Sequence, residues 1–296
     1  MILVFGNGQL GQDLMRTGAA RQIPLVALER AQADITDPAA VRAAIAHHRP
    51  ALVVNAAAYT KVDLAESEAQ TAFRVNESGA ANIGVACAGI PFIHISTDYV
   101  FDGAKRGPYL EDDPIAPLNV YGQSKAAGEQ AVRATSPRHV IIRSSWIFGE
   151  FGHNFLKTML RLAATRDELR VVADQHGSPT STRDLSAALL TIAPRLIAGE
   201  DVWGTYHFTA TGTTTFHGFA SRIVAAQAPL TGRTPRVTAI TTAEFPSPAR
   251  RPANSQLDCG RFERVFGFRG RPWTEETDAI TLALVTAQIG SAQHVA

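Results

Sequence analysis

Residues 1–11 read Met-Ile-Leu-Val-Phe-Gly-Asn-Gly-Gln-Leu-Gly and join a short apolar run to a glycine-rich turn. Gly6, Gly8 and Gly11 form the pattern G-x-G-x-x-G directly after the run, and a helical pattern starts at Gln9. Glycines permit a tight strand-to-helix turn and let backbone amides approach a pyrophosphate, whose charge the helix N-terminus favours. A plain glycine-rich connection is the alternative. The position of the motif between strand and helix favours dinucleotide binding.

Apolar runs and helical patterns alternate through the first half of the chain. Because continuous apolar strands separated by helices are typical of a parallel sheet covered on both faces, we predict an α/β fold with a Rossmann-type doubly wound sheet. The predicted strands are residues 2–5, 23–28, 51–55, 91–96 and 139–144, and the helical segments are residues 9–20, 38–48, 66–89 and 121–134.

The alternation becomes less regular after Trp146. Residues 154–164, 183–198 and 215–228 have helical patterns, residues 205–208 suit a further strand of the main sheet, and residues 229–252 suit a loop-rich lid. We expect an NAD(P)-binding domain of residues 1–149 plus about 181–210. A smaller α/β substrate-binding domain would hold about 150–180 and 211–296, so the chain would cross between domains more than once.

Composition excludes several classes of protein. The chain has 296 residues and a formal net charge of +1, which offers no basic excess for nucleic acid or for an anionic membrane surface. Cys87 and Cys259 are too few and too far apart for a disulfide framework or a metal cluster. Neither a signal-peptide pattern nor an apolar stretch of membrane-spanning length is present, so we expect a cytoplasmic protein.

The end of the second predicted strand, Leu28-Glu29-Arg30, bears on cofactor choice. An acid there favours the ribose 2′-hydroxyl of NADH, whereas Arg30 favours the 2′-phosphate of NADPH. A solvated Glu–Arg pair is the third reading, and we predict NADPH or NADH with a slight preference for NADPH. Further along the same predicted cofactor edge lie Asp34, Ile35, Ala56, Ala57 and Ala58; the three alanines either leave room for the cofactor or simply pack tightly.

Tyr121 and Lys125 have the spacing YxxxK and would share one face of a helix. A unit charge about 4 Å away is worth roughly 4 kcal/mol at an effective dielectric near 20, enough to lower a tyrosine pKa by up to about 3 units. The pattern alone also suits a packed Tyr beside a surface Lys. Ser96-Thr97-Asp98 follows the fourth strand, where a hydroxyl either meets a substrate carbonyl or satisfies a turn.

These motifs together resemble the extended short-chain dehydrogenase/reductase family and, within it, the dTDP-4-dehydrorhamnose reductases. The resemblance covers nearly the whole chain. It rests on these segments: GQLG (8–11), NAAAYTKVDLAE (55–66), STDYVFDG (96–103), PLNVYGQSKAAGE (117–129), RSSWIFG (143–149), NFLKTML (154–160), DQHGSPT (174–180) and RRPANSQLD (250–258).

The resemblance implies reduction of the 4-keto group of dTDP-4-dehydro-L-rhamnose by NAD(P)H, as in O-antigen and lipopolysaccharide synthesis. It implies that Tyr121 donates the proton and that Thr97 forms a hydrogen bond with the reacting oxygen. Lys125 would bind the nicotinamide ribose and lower the pKa of Tyr121. Gln9 and Leu10 would join the cofactor-binding residues. The implied substrate contacts are Thr97, Asp98, Trp146, Asn154, Arg250 and Asn254. The last two either reach the dTDP phosphates or seat the lid. Trp146 also suits an ordinary aromatic between domains.

Two departures and two alternatives accompany the resemblance. The family more often has G-x-x-G-x-x-G, one residue longer than the turn at Gly6. Some relatives form a magnesium-bridged homodimer, but Asp13 has no convincing full set of acidic partners, so we predict no required metal and keep a homodimer open. The alternatives are another nucleotide-sugar epimerase or dehydratase, and a non-catalytic cofactor-binding subunit.

Overall fold

The structure is a computed structural model and describes residues 1–293. Residues 294–296, which the sequence analysis assigns to the substrate-binding domain, lie outside the described residues. The strands are β1 (Ile2–Phe5), β2 (Leu25–Leu28), β3 (Leu52–Asn55), β4 (Phe92–Thr97), β5 (His139–Ser144), β6 (Ile147–Phe148), β7 (Glu168–Val172), β8 (His176–Gly177), β9 (Thr180–Ser181), β10 (Gly204–His207), β11 (Thr214–Thr215) and β12 (Arg236–Ile240).

Helices connect nearly all of these strands. They are α1 (Gln9–Ala20), α2 (Pro38–His48), α3 (Val62–Ala65), α4 (Ala69–Phe73), α5 (Gly79–Ala86), α6 (Val120–Thr135), α7 (Phe155–Ala163), α8 (Thr182–Ile197), α9 (Phe216–Thr231), α10 (Gly260–Phe266) and α11 (Trp273–Gln293). A π-helical segment, Arg74–Ser78, joins α4 to α5.

The central sheet has six parallel strands in the order β10-β5-β4-β3-β1-β2. Side chains alternate between its faces: Ile2 and Val4 of β1 pack with α1, α8 and α10, whereas Leu3 and Phe5 pack with α2, α5 and α6. Both faces of the sheet are therefore buried, which explains why its strands read as continuous apolar runs. The predicted α/β fold with a doubly wound sheet is confirmed.

A separate apolar core lies beyond this sheet. The helices α7, α9 and α11 pack around buried side chains that include Leu156, Phe219 and Ile280, together with the parallel pair β7–β12. Part of the chain after Trp146 thus forms its own packed body, whereas α8 and α10 pack on the central sheet and β10 joins it beside β5. The prediction of a sheet strand near residues 205–208 is confirmed.

The lid prediction for residues 229–252 is partly wrong. Helix α9 continues through Pro229 to Thr231, and β12 pairs with β7 from Arg236 to Ile240. Within this segment, helix and strand are absent from residues 232–235 and from Phe245 onward. A proline near the C-terminus of a helix breaks few hydrogen bonds, and strand pairing at this site depends on a distant partner that a local pattern does not reveal.

Candidate active site

A cleft runs along the carboxyl ends of β1, β3, β4 and β5. The strand order reverses between β1 and β3, which is where open parallel sheets bind ligands. Two adjoining cavities of about 600 and 550 Å³ occupy the cleft and share Gly8, Ala56, Ala58 and Thr60. We call them the outer cavity, which reaches β2, and the inner cavity, which reaches β5.

The glycine-rich turn forms one wall of the outer cavity. Gly6 has φ +103°, and a Cβ there would lie 2.6 Å from the backbone nitrogen of Ala57. A Cβ on Gly11 would lie 2.1 Å from the Gly6 carbonyl oxygen, so Gly11 packs the turn instead of lining the cavity. Both positions require glycine, and the turn is shaped to bring its backbone against a ligand. The predicted residues that line this cavity are Gly6, Gly8, Arg30, Asp34, Ile35, Ala56, Ala57 and Ala58.

Opposite charges face the far end of the outer cavity. Arg30 Nε donates to Asp34 Oδ2 at 3.0 Å, and Glu29 lies beside the Asn7 amide. The bonds from Thr36 and Arg30 outweigh burial and lower the pKa of Asp34, so this carboxylate keeps its charge. Both Glu29 and Arg30 line the cavity. The structure therefore places an acceptor for a ribose hydroxyl and a cation for a phosphate at the same end.

The inner cavity brings together residues that are distant in sequence. Thr97 ends β4, and its Oγ1 donates to Asp98 Oδ1 at 2.9 Å. Burial raises the pKa of Asp98 to about 6 against the bonds from Ser255 and Thr97. The predicted residues that line this cavity are Gly8, Gln9, Leu10, Ala56, Ala58, Thr97, Asp98, Tyr121, Lys125, Trp146 and Asn154.

Tyr121 and Lys125 lie in the first turns of α6. Asn119 caps the helix by accepting from the Gly122 backbone nitrogen at 2.8 Å. Lys125 Nζ donates to the carbonyl of Ile95 at 2.7 Å, and burial lowers its pKa to about 8.

The predicted lowering of the Tyr121 pKa by Lys125 is wrong. Burial raises the pKa of Tyr121 to about 12, and a hydrogen bond with Thr97 only partly opposes this. Lys125 directs its head group to the β4 backbone.

Trp146 has a constrained position in the inner cavity. Its φ is +46°, and its ring stacks on Phe216 with centroids 3.8 Å apart. The indole also packs against Gly177, where a Cβ would lie 2.6 Å from the indole Cε2. A bulky residue in a left-handed conformation stores strain, and such residues concentrate at functional sites. The indole is therefore held as a fixed wall of the cavity.

Two predicted substrate contacts lie outside both cavities. The Arg250 side chain is exposed, while its carbonyl accepts from Asn119 Nδ2 at 2.8 Å. Asn254 Nδ2 donates to the carbonyls of Lys105 and Gly107, so this amide holds a loop. The structure does not bring these two side chains to the cleft. Their segment turns at residues 249–255, and a sequence motif does not show which side chains of such a turn face inward.

Most of the chain matches one family. A family model described as "RmlD substrate binding domain" matches residues 1–285. A dTDP-4-dehydrorhamnose reductase of Sinorhizobium fredii is 44% identical over 283 residues, covering 94% of this chain and 95% of the relative. The chain belongs to the dTDP-4-dehydrorhamnose reductase family. The resemblance stated from the sequence motifs is confirmed.

Solved structures agree with this assignment. A dTDP-4-dehydrorhamnose reductase of Clostridium acetobutylicum superposes with a TM-score of 0.88 at 37% identity, covering 96% of this chain and 99% of the other. The reductase of Bacillus anthracis, solved in complex with NADP, superposes with a TM-score of 0.86 at 36% identity, covering 95% and 98%. The family fold therefore extends over both packed bodies of this chain.

In this member of the reductase family, Arg251 is a residue that sequence reasoning missed. Its guanidinium binds the carboxylate of Asp63 at 2.8 and 3.0 Å, and Nη1 also donates to Ser247 Oγ at 2.7 Å. The neighbouring Arg250 was selected from the same motif. Other residues that the sequence did not indicate line the cleft after β1, β3 and β5, and their only signal is that position: Asn7, Tyr59, Thr60, Lys61, Ser144, Ile147 and His153.

The acidic residues near α1 are bound by arginines. Asp13 is buried and accepts from Thr182 and Arg16, while Glu150 pairs with Arg16 and Arg183. In the part of the chain that the structure describes, no group of three or more His, Cys, Asp or Glu side chains is arranged to hold a metal ion. Among residues 1–293 there is also no helix of sufficient length and apolarity to cross a membrane.

Proposed function

We propose that this chain catalyses the NAD(P)H-dependent reduction of dTDP-4-dehydro-L-rhamnose to dTDP-L-rhamnose, the last step in making that nucleotide sugar. One observation carries the proposal. The cleft joins a glycine-rich cavity to a second cavity that holds Thr97, Tyr121 and Lys125, in a chain 44% identical to a dTDP-4-dehydrorhamnose reductase.

A nicotinamide cofactor fits the outer cavity. The Gly6 and Gly11 positions admit no side chain, so backbone amides at the start of α1 can approach a pyrophosphate. Bound there, NAD(P)H would supply the hydride for carbon 4 of the sugar. Gly8, Gln9, Leu10, Asp34, Ile35 and Ala56 to Ala58 would line the cofactor, and Lys125 would bind its ribose.

Tyr121 is suited to give the matching proton. A phenol whose pKa is about 12 carries its proton throughout the neutral range, as a general acid must. When the carbonyl oxygen gains charge, Tyr121 would donate its proton to it. The Thr97 hydroxyl, which donates to Asp98 Oδ1 in the free protein, would turn to donate to that oxygen as well. Asp98, Trp146 and Asn154 would contact the sugar nucleotide, with Trp146 as a flat wall for the ring.

The division of labour between two domains is part of the proposal. Residues 1–149 with about 181–210 would bind the cofactor, and about 150–180 with 211–293 would bind the substrate. The support is that β10 joins the central sheet and α8 packs on α1, whereas α7, α9 and α11 build a core of their own.

We also propose that NADPH is the preferred cofactor. Arg30 is a cation at the end of β2 facing the outer cavity, where it could pair with a 2′-phosphate. The Bacillus anthracis relative was solved with NADP, which agrees with this choice.

The deciding experiment follows NADPH oxidation with enzymatically made dTDP-4-dehydrorhamnose, and with a UDP-keto sugar as the substrate control. Stoichiometric oxidation is expected only with the dTDP sugar. Tyr121→Phe should lower kcat by about 10²- to 10⁴-fold while retaining cofactor binding, because it removes one positioned proton donor. Tyr206→Phe is the matched control, since its hydroxyl bonds to the Val202 carbonyl outside the cleft.

Two outcomes would contradict the proposal. Turnover of the sugar with no net NADPH oxidation would indicate an epimerase or dehydratase. Near-normal kcat in Tyr121→Phe would remove Tyr121 as the proton donor while leaving the substrate assignment intact.

A further inference from the structure

A buried polar chain lies directly behind the inner cavity. His94 of β4 is 1% exposed and lies between Asn55 of β3 and Lys125 of α6. Its Nδ1 is 3.2 Å from Asn55 Nδ2, and its Nε2 is 3.5 Å from Lys125 Nζ. His94 and Asn55 line neither cavity, so they do not act on a substrate directly.

Asn55 determines where His94 carries its proton. The backbone nitrogen of Ala57 donates to Asn55 Oδ1 at 3.1 Å, which orients the amide with its nitrogen toward His94. An amide nitrogen only donates, so His94 Nδ1 must accept and the ring proton must be on Nε2. Burial, and then the Lys125 charge, lower the pKa of His94 well below its usual value, so the ring is neutral.

The ring proton of His94 consequently points toward Lys125. An N–H directed at an ammonium group repels it, whereas the same N–H can bond to the lone pair of an uncharged amine. The backbone bond from Lys125 Nζ to the Ile95 carbonyl holds the head group in place for this contact.

We propose that His94 is a positioning residue for Lys125: fixed as the Nε2–H tautomer by Asn55, it holds the head group against β4 and disfavours the ammonium form. The inference rests on the proposed function only in taking Lys125 to serve the reaction. Its physical content concerns the protein alone and can be measured without a substrate.

Few other charges act on this pair. Glu129, on the same helix, favours the Lys125 ammonium, while burial opposes it and gives the pKa of about 8. Arg133 of α6 and His139 of β5 act on His94 and keep it neutral. Asn76, in the π-helical segment packed against α6, is uncharged and donates a hydrogen bond to Ser124 Oγ. The charge that Lys125 presents to the cleft therefore falls as pH rises through about 8.

The first test is nuclear magnetic resonance of the intact protein labelled with ¹⁵N-histidine. The expected His94 signature is a neutral ring with its proton on Nε2 from pH 5 to 9. His94→Phe identifies the signals by their disappearance. A proton on Nδ1, or a charged ring at pH 6, overturns the inference.

The second test measures the Lys125 pKa from its ¹³Cε shift. Lys61, Lys105, Lys125 and Lys157 are the only lysines in the sequence, and Lys125→Met identifies the signal. Asn55→Asp keeps an acceptor for the Ala57 backbone nitrogen, and its second oxygen can accept from His94 Nδ1. The ring proton of His94 should then move to Nδ1, which leaves the Nε2 lone pair facing Lys125. The Lys125 pKa should then rise by about one unit, a tenfold change in its protonation equilibrium.

The carboxylate added by Asn55→Asp also attracts the ammonium, so a second variant separates the two effects. In the double variant His94→Phe/Asn55→Asp, the new charge stays and the ring nitrogen is gone, so most of the rise should disappear. An equal rise in both variants would mean that His94 transmits nothing. If the tautomer and the pKa shift are found but the chain reduces no keto sugar, the proposed function fails and the positioning of Lys125 stands.

Discussion

Arg30 is the residue with the clearest consequence for cofactor choice. It lines the outer cavity beside Glu29, so Arg30 could bind a 2′-phosphate there and Glu29 could bind a 2′-hydroxyl. Arg30→Ala should lower kcat/KM for NADPH by about 10- to 100-fold, since a charged hydrogen bond contributes about 1.5–3 kcal/mol. The value for NADH should stay close to that of the wild type.

Glu29→Gln is the matched control for Arg30→Ala. It removes the neighbouring charge and should affect NADH more than NADPH, because a carboxylate is the better acceptor for a ribose hydroxyl. Equal losses with both cofactors in Arg30→Ala would show that the arginine only maintains local structure through Asp34.

Lys125, and not Tyr121, should govern the alkaline side of the pH–rate profile. A phenol with a pKa of about 12 is only about 1% ionised at pH 10. Lys125 has a pKa of about 8, lowered by burial, so it loses its charge as pH rises through that value. An ammonium attracts the negatively charged cofactor, so kcat/KM for NADPH should decline above pH 8.

The absorbance of tyrosinate provides the check on this prediction. Titration of wild type and Tyr121→Phe should give the same absorbance change below pH 10. A rate that stays constant to pH 10, or a Tyr121-dependent absorbance change near pH 8, would contradict the two pKa directions.

For single residues, the sequence predicts which side chains line the cleft better than it predicts their pKa values. The sequence indicates Gly6, Tyr121 and Lys125 because each belongs to a motif with fixed spacing within one turn or one helix, and all three line the cleft. The sequence does not predict that the pKa of Tyr121 is raised, because burial in a cleft built from several elements causes that shift. The motif indicates Arg250 as the contact, whereas the Arg251 side chain is the one that binds Asp63. In an irregular segment, the sequence does not show which of two adjacent side chains faces inward.

Helix α6 is the element on which the site depends most. Its Glu129 is fully buried and binds the guanidinium of Arg143 in β5 at 2.7 and 2.8 Å, while Ser96 Oγ donates to the same carboxylate. Glu129→Ala should lower the free energy of unfolding by about 3–5 kcal/mol, because it leaves the Arg143 charge buried without a partner. Urea unfolding followed by circular dichroism measures this.

Arg133→Ala supplies a control on the same carboxylate. Arg133 is 35% exposed and pairs with Glu129 at 2.9 Å, so its loss should cost no more than about 1 kcal/mol. Similar losses in both variants would mean that burial does not distinguish the two ion pairs.

Elements of the central sheet were predictable, and small paired strands were not. The inner strands β1, β3, β4 and β5 are buried on both faces, so their apolar runs are visible without knowledge of their neighbours. The strands β7 and β12 pair across more than sixty residues of sequence and show no comparable run. Their positions depend on the apolar core of α7, α9 and α11, which only the folded chain reveals.

On the scale of the whole molecule, the cleft is closed by contacts between the two packed bodies. Arg251 binds Asp63 after β3, and Asn119 at the start of α6 binds the carbonyl of Arg250. On the other side, Asn154 Nδ2 donates to Gln9 Oε1 at 2.8 Å, joining the start of α7 to the start of α1. These polar contacts therefore help to hold the two packed bodies together at the cleft.

Asn154 has two separable roles in this closure. Its Oδ1 accepts from the Lys157 backbone nitrogen at 3.0 Å and caps α7, while its Nδ2 reaches Gln9. Serine is an equally good cap but is too short to reach across, so Asn154→Ser should break the contact with Gln9 and spare the helix. Asn154→Ala loses both roles and should be about 1 kcal/mol less stable than Asn154→Ser in urea unfolding.

The kinetic effect of this contact can be isolated with a double-mutant cycle. Gln9→Ala and Asn154→Ser should each raise KM for the sugar nucleotide, and the double variant should be little worse than either, because both remove the same bond. A coupling energy of about 0.5–1.5 kcal/mol is expected for one hydrogen bond. Strictly additive effects would mean that the two side chains act separately and that the bond between α1 and α7 does not position the cleft, since only a shared contact makes two such losses overlap.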